Sequence, residues 1–459
     1  MAKEEETYQQ APTLGFRIFR GYVRLYHKMV FFSKCFSEGK ENIPSDGTPT
    51  LFVSCHQNSL IDPIAIIMDM CPRRMGVFIR GDVFLKSPLF FKILRWLGGL
   101  PAFRLNVDGE DMIAQNKKWF GIAGDELMKG RSTLIFPEGT HQDKHWLGDF
   151  SLGYLQLLFE TAERNNFEKD ILILPIGHHY NNYYDLRMEM DIIYGKPISL
   201  QPFYELYKTK PRTAKREANK LVREKISELM LDVKDKEHYD AIAAVRKIYG
   251  RQQTIAEGGN PNHLPTQLKT DKKIVEKLAL AAENNEQAVL QIYETALSIS
   301  EAEEREKLND LDFEEKTSMG GSIAHGLLLL LFFPVYVVTL WPYLIIDKLP
   351  KWILGDVADM MKSTIAYGAA VLLTLPITFL ITFITTWCVG GNVLIALAYT
   401  AALYPLGAFY YAYKNQTKRW VEKWRYCFGA PKKTRISIKQ KRKNLIEKLS
   451  LLLSKNENK

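Results

Sequence analysis

Cysteine is scarce in this 459-residue chain: Cys35, Cys55, Cys71, Cys388 and Cys427 are scattered, with no CxxC pair. That scatter excludes a disulfide framework or a cysteine-built zinc site and fits small buried thiols in a reducing compartment. A phosphate-cradling P-loop and a serine-centred nucleophile elbow are also missing, which removes two large enzyme classes. The opening MAKEEETYQQ is polar and acidic, so no secretory signal is expected, and no internal repeat appears. An even excess of one charge is lacking too. Lys414–Lys459 holds 15 Lys/Arg against three Asp/Glu, a net +12, so the +9 of the whole leaves about −3 for the other 413 residues. The body is near neutral and ends in a basic tail suited to an anionic surface, either nucleic acid or the cytoplasmic leaflet.

What precedes the tail favours the membrane. Ile365–Trp387 is uncharged and 23 residues long, enough for ~30 Å of hydrocarbon. Asn392–Tyr413 is a second uncharged run, joined to it through Cys388-Val-Gly-Gly391 as a hairpin. The run Ile323–Ile346 carries His325, Pro334 and Pro342 and reads as re-entrant or interfacial, with a third full span the close alternative. The positive-inside rule puts the tail in the cytoplasm, and an integral membrane protein with its catalytic part at the cytoplasmic face is expected. At the front, Arg17, Arg20, Arg24 and Lys28 form one helical stripe in Leu14–Lys34, with Phe19, Tyr22, Tyr26 and Val30 opposite. This pattern predicts an interfacial helix within residues 1–39; a core-packing helix with a solvated basic face is the alternative.

Between these parts, residues 40–200 alternate short β-rich runs (Thr50–Ser54, Met75–Ile79, Ser132–Phe136, Ile171–Ile176, Met190–Tyr194) with helical ones (Pro63–Met70, Pro88–Leu97, Asp111–Met128, Leu152–Asn165). Such alternation predicts an α/β domain with a mostly parallel sheet. Residues 201–316 are charged and helix-forming, broken at Ile255–Pro265, and read as a helical insertion before the membrane part at 317–413 and the tail at 414–459.

The chemistry begins at Ser54-Cys-His-Gln-Asn-Ser-Leu-Ile-Asp62-Pro63, where a strand gives way to a helix. His56 suits a general base and Asp62 its orienting partner. The bland alternatives are a satisfied core histidine and an Asp-Pro helix cap, and the cap and the orienting role can coexist. Phe136-Pro-Glu-Gly-Thr140-His141 and Gly99-Leu-Pro-Ala-Phe-Arg104 stand at matching strand ends, the first able to expose backbone N–H groups to an anion, the second offering an arginine suited to phosphate. Ile173-Leu-Pro175-Ile-Gly177 and Gly195-Lys-Pro197 follow. The pair His178-His179 has no carboxylate or cysteine at ligand spacing, so strand-end packing is expected there and no metal.

In this order the motifs resemble the glycerophospholipid acyltransferase superfamily over roughly residues 40–200. His56…Asp62 looks like its first motif, Gly99…Arg104 its second, Phe136-Pro-Glu-Gly its third and Leu174-Pro175 its fourth, with Lys86-Ser-Pro88 and Gly195-Lys-Pro197 as auxiliaries. The resemblance implies direct acyl transfer from acyl-CoA or acyl carrier protein, with no further cofactor and no covalent acyl-enzyme. His56 would be the base with Asp62. Glu138, Gly139, Thr140, His141 and Pro175 would line the substrate site, and Arg104 would bind the acceptor phosphate. Two departures, five residues between His56 and Asp62 and His141 in place of arginine, resemble the glycerol-3-phosphate and dihydroxyacetone-phosphate branch. Lys144 is the substitute phosphate ligand.

Glycerol 3-phosphate, or dihydroxyacetone phosphate, is therefore the expected acceptor, and 1-acyl-glycerol 3-phosphate the alternative. From another class, a non-catalytic membrane lipid-binding protein would use the tail and hairpin around an inert domain. Nucleic acid is not an expected partner, because a basic tail directly after a hydrophobic hairpin faces headgroups; anionic lipids are.

Overall fold

The computed structural model describes residues 13–70, 73–85, 87–103, 112–141, 143–184, 186–314, 317–354 and 360–454. Contacts divide the chain into two compact units, with the boundary between Asp232 and Val233.

The first unit is built on β1 (Phe32–Glu38), β2 (Thr50–Ser54), β3 (Gly76–Arg80), β4 (Gly99–Ala102), β5 (Thr133–Ile135), β6 (Leu172–Tyr180), β7 (Met188–Tyr194) and β8 (Ile198–Ser199). Among the described residues these form one sheet in the order β1-β7-β6-β2-β5-β3-β4, with β8 beside β6. All neighbours run parallel except the β6–β7 and β6–β8 pairs. Its helices are α1 (Leu14–Tyr26), α2 (Ile61–Asp69), α3 (Gly81–Phe84), α4 (Pro88–Leu97), α5 (Met112–Met128), α6 (Gly153–Arg164), α7 (Tyr204–Thr209) and α8 (Pro211–Leu229). The unit is thus α/β with a mostly parallel sheet. β2 is buried along its whole length, as its unbroken Leu51-Phe-Val53 run requires of a strand covered on both faces. Parallel register sets Val53 beside both Ile135 of β5 and Pro175 of β6, so β2 and β5 end together and β6 runs on past them to Tyr180 at one edge of the sheet. In open parallel sheets that carboxyl edge is where ligands bind.

Two sequence expectations differ here. The N-terminal segment is not helical to residue 34: α1 stops at Tyr26, a π-helical turn covers His27–Phe31, and β1 begins at Phe32. Phe16, Val23, Tyr26 and Val30 are buried, and Phe16 and Phe19 meet Trp96 edge-on at 5.6 Å, while Leu14, Ile18 and Leu25 of α1 stay exposed. A β-branched and aromatic run can be buried as either helix or strand, and pairing with β7 decides for strand. The first unit also continues past Leu200. α8 places Ala214, Ala218, Val222 and Ile226, one stripe at helical spacing, in the core formed by β2, α5 and α6.

The second unit holds α9 (Tyr239–Ala256), α10 (Leu264–Arg305, kinked at Asn285), α11 (Leu311–Glu314), α12 (Met319–Leu354), α14 (Val393–Trp424), α15 (Lys432–Ser454) and, from Ala369 on, α13 (Met360–Gly390), whose residues up to Gly368 are grouped with the first unit. The segment between α9 and α10 carries Gly258 at φ +77° and Pro261, which stop and restart the helix. Segments of α12 and α13 (Met319–Leu349 and Leu372–Gly390), and Val393–Gly429, which runs from α14 into the turn after it, are each long and apolar enough to cross a membrane. Asn392 caps α14 by accepting the Leu394 N–H at 2.8 Å, and Gly391 takes φ +62°, which closes the expected tight link.

The proline-containing run lies within one helix, α12. The carbonyl that Pro342 leaves without an N–H partner, Val338 O, accepts the Tyr399 hydroxyl at 2.6 Å instead. α12 and α14 are antiparallel where Trp420 donates to Ser322 O at 2.9 Å and Tyr413 to Leu329 O at 2.9 Å. A straight partner would then bring residue 347 opposite residue 395 or so. Instead Asp347 accepts from Tyr410 at 2.9 Å, Tyr411 at 3.2 Å and Lys414 at 2.6 Å, so α12 bends back beyond Pro342. From Lys432 to Ser454 the basic segment folds as the helix α15. α15 buries Ile438, Leu445, Leu449 and Leu453, and Arg442 is buried against Glu303 at 2.6 Å and Glu314 at 3.0 Å.

Candidate active site

The loop after β2 turns sharply enough to bring residue 62 back onto residue 56. Ser59 sits at φ +43°, and Gln57, Asn58 and Ser59 are all buried. Asp62 Oδ2 accepts the backbone N–H groups of Gln57 and Asn58 and lies against His56 Nδ1, each at 2.8 Å. The carboxylate therefore ties down the preceding loop. It is not the cap of α2, whose N-cap residue is Leu60. With Nδ1 engaged, Nε2 is the free nitrogen of His56, and the side chain keeps 17% exposure while Asp62 has none. His56 packs on the Phe136 ring at 4.5 Å and lies 5.5 Å from the His141 ring.

The third motif reaches the first through the main chain. Glu138 Oε1 accepts the His56 backbone N–H at 2.7 Å, and Oε2 accepts that of Gly148 at 2.9 Å. A Cβ on Gly148 would stand 2.3 Å from Oε2, so this clamp needs glycine there. Burial pushes the Glu138 carboxyl up to about 7, although the two N–H donors pull the other way. Gly139 turns the chain at φ +69° and leaves Thr140 exposed. His141 is held below the ordinary imidazole value by burial first and by His56 next.

Asp62 is the electrostatic centre. Burial alone would raise its carboxyl, but His178, then His56, with their hydrogen bonds, hold it well below the carboxylate range. Tyr180 donates to Oδ1 at 2.5 Å and His178 Nε2 lies 3.3 Å from it.

Of the residues expected at the site, the fold brings together His56, Asp62, Glu138 and His141. The carbonyl of Lys144 accepts from Gln57 at 3.4 Å, so its backbone is beside the loop. Pro175 is different: it lies buried inside β6, its carbonyl accepting the Gly195 N–H at 2.9 Å, and belongs to the sheet rather than the pocket wall. Arg104 and Lys86 fall outside the described residues. Gly148, His178 and Tyr180 went unassigned in the sequence, as did Arg80, which ends β3, pairs with Asp82 at 2.7 Å and lowers the His141 pKa by its charge. The His178-His179 doublet was the one visible signal.

The family model described as Acyltransferase matches residues 34–179. Those residues carry an acyltransferase domain. The chloroplastic 1-acyl-sn-glycerol-3-phosphate acyltransferase of Arabidopsis thaliana is 29% identical to the chain over 131 residues, 28% of this chain and 34% of that one. The match thus spans about a third of that relative's length. The crystal structure of the 1-acyl-sn-glycerophosphate acyltransferase of Thermotoga maritima aligns with 46% of this chain and 78% of its own at 17% identity and a TM-score of 0.32. The matched residues include β2, α2, the Phe136–His141 loop and β6 as far as His179, with Tyr180 one residue beyond them.

Proposed function

We propose that the protein is an O-acyltransferase that moves a fatty acyl group from a thioester, acyl-CoA or acyl carrier protein, to the hydroxyl of a phosphate-bearing glycerolipid precursor. The carrying observation is His56 Nδ1 at 2.8 Å from a fully buried Asp62, which leaves Nε2 as the base. Nε2 takes the acceptor hydroxyl proton as the oxygen attacks the thioester carbonyl. The tetrahedral intermediate expels the thiolate, which receives that proton back from His56. The acceptor best supported is 1-acyl-glycerol 3-phosphate, because the domain is similar to an enzyme of that name. Glycerol 3-phosphate is the second reading, supported by the five-residue His56–Asp62 spacing and by His141. Glu138, Gly139, Thr140, His141, Lys144 and Arg104 are the proposed substrate-side residues.

The domain works at the cytoplasmic face in this reading. The contact between Ser322 and Trp420 supports it, since chain preceding α12 and chain following α14 then share one side, and the basic segment marks that side as cytoplasmic. Exposed Lys432, Lys433, Lys439 and Lys441 on α15 are suited to anionic headgroups.

The test is acyl transfer by purified full-length protein to 1-acyl-glycerol 3-phosphate, glycerol 3-phosphate and dihydroxyacetone phosphate, beside His56→Ala. Turnover with the first acceptor and a loss of ~10²-fold or more in the variant is expected. Turnover with glycerol 3-phosphate alone overturns the acceptor assignment, and an active His56→Ala overturns the base.

A further inference from the structure

Three side chains converge on Asp62, and the reaction as written uses only one. The carboxylate is completely buried, with Oδ2 occupied by His56 Nδ1 and two backbone N–H groups. Its other oxygen, Oδ1, meets two groups from β6: the Tyr180 hydroxyl at 2.5 Å and His178 Nε2 at 3.3 Å. Both are themselves fully buried, and β6 is parallel to β2, so the two strands deliver their last residues to the same edge. On its far side His178 Nδ1 lies 3.3 Å from Ser54 Oγ and 3.6 Å from Cys55 Sγ, which fixes the ring plane.

We propose that His178 and Tyr180 are positioning residues for His56, acting through the Asp62 carboxylate that all three share. The proposal rests on His56 being the base. Two imidazoles on opposite oxygens compete for one anion. If Asp62 faced His56 alone in a buried site, it would hold the His56 imidazolium strongly and make the base slow to exist in its free form. A second cationic partner on Oδ1 offsets that pull, and the Tyr180 hydroxyl spreads the charge further and fixes the carboxylate plane against rotation. The groups facing His178 are Asp62 from α2, Cys55 and His56 from the segment after β2, Glu138 from the loop after β5, and Tyr180 on its own strand; across β7 its register partner is Ile192. Burial alone would lower the His178 pKa, but Asp62 and Cys55 outweigh burial and raise it well above the ordinary imidazole value. The ion pair inside the domain is then Asp62 with His178, and His56 stays available.

The experiment is the pH profile of kcat and KM for acyl transfer by full-length wild type, His178→Gln, Tyr180→Phe and His56→Ala. Removing the second cation, or the hydroxyl, leaves Asp62 more basic and its hold on protonated His56 stronger. Both β6 variants should therefore lose roughly tenfold in kcat with KM nearly unchanged, and the acid limb should move up by about half a pH unit or more, less than removing the base itself. Tyr180→Phe keeps the ring and its packing, so it carries the test if His178→Gln folds poorly. A purely structural role would lower thermal stability and the yield of active enzyme while leaving the profile in place. If His56→Ala is inactive and both β6 variants follow the wild-type profile, the positioning role is overturned while the base stands. If His56→Ala is fully active, both fall.

Discussion

The carboxylate of Glu138 accepts the backbone N–H of His56 at 2.7 Å, so the third motif holds this histidine by its main chain. Two segments about 80 residues apart become one rigid element, with β2 and β5 as neighbouring strands beneath them. The glutamate's role follows from this contact: it fixes where the histidine begins.

Glu138 links the site to pH. Its carboxyl is raised to about 7 in the folded protein against an ordinary 4.5. The folded state holds this proton more tightly than the unfolded chain, so the contribution to stability is complete below about 4.5 and is lost as pH rises through 7. Glu138→Gln removes the titration, and its Tm should change less than that of wild type between those pH values. A Tm series in detergent checks this; equal slopes for both proteins would reject it.

Gly148→Ala tests the other end of the same clamp. The new Cβ would stand 2.3 Å from Glu138 Oε2 and displace the carboxylate, and with it the His56 backbone. A shift of that size at a reacting group costs about 10²-fold in kcat, and the acyl-transfer assay should show it with the fold intact by circular dichroism.

Asp62→Asn should be more severe. The amide cannot accept from His56, two backbone N–H groups and Tyr180 while also neutralising His178. A loss of about 10³-fold or more in kcat is expected, as for a triad carboxylate, with some loss of stability from the uncompensated His178. Activity within tenfold of wild type would contradict the orienting role.

Gly407→Ala probes the bent helix in the second unit. The Tyr343 hydroxyl stands 2.0 Å from where that Cβ would be. Separating α12 from α14 should cost about 1–3 kcal/mol, read as a lower melting temperature. The first unit does not contain this contact, so the acyl-transfer KM should be preserved.

Much of this was legible in the sequence. The runs Thr50–Ser54 and Pro88–Leu97 coincide with β2 and α4, because a fully apolar β-branched run and an amphipathic run each satisfy one period only. The tight link at Gly391 and Asn392, the break near Pro261, and the pairing of His56 with Asp62 also follow from local chemistry. Other features were illegible for identifiable reasons. β4 is four residues of Gly-Leu-Pro-Ala, too short and too rich in breakers to read as a strand, and exists because β3 pairs with it. Val30–Phe36 carries apolar residues that serve a helix or a strand equally well.

The sequence by itself determined the chemistry available: a histidine with a carboxylate beside it, a glutamate-glycine turn and a chain with helices apolar enough to enter a membrane, all set by residue type and short spacing. Tertiary structure alone decided what each group does. His178 and Tyr180 lie more than 110 residues from Asp62 and look like strand-end packing until parallel pairing of β2 with β6 puts them on its free oxygen. The helix that bends back at Pro342 is likewise defined by a tyrosine 57 residues later that satisfies the carbonyl left open. Hydrogen bonds and ion pairs depend on distance in space, and the fold sets that distance.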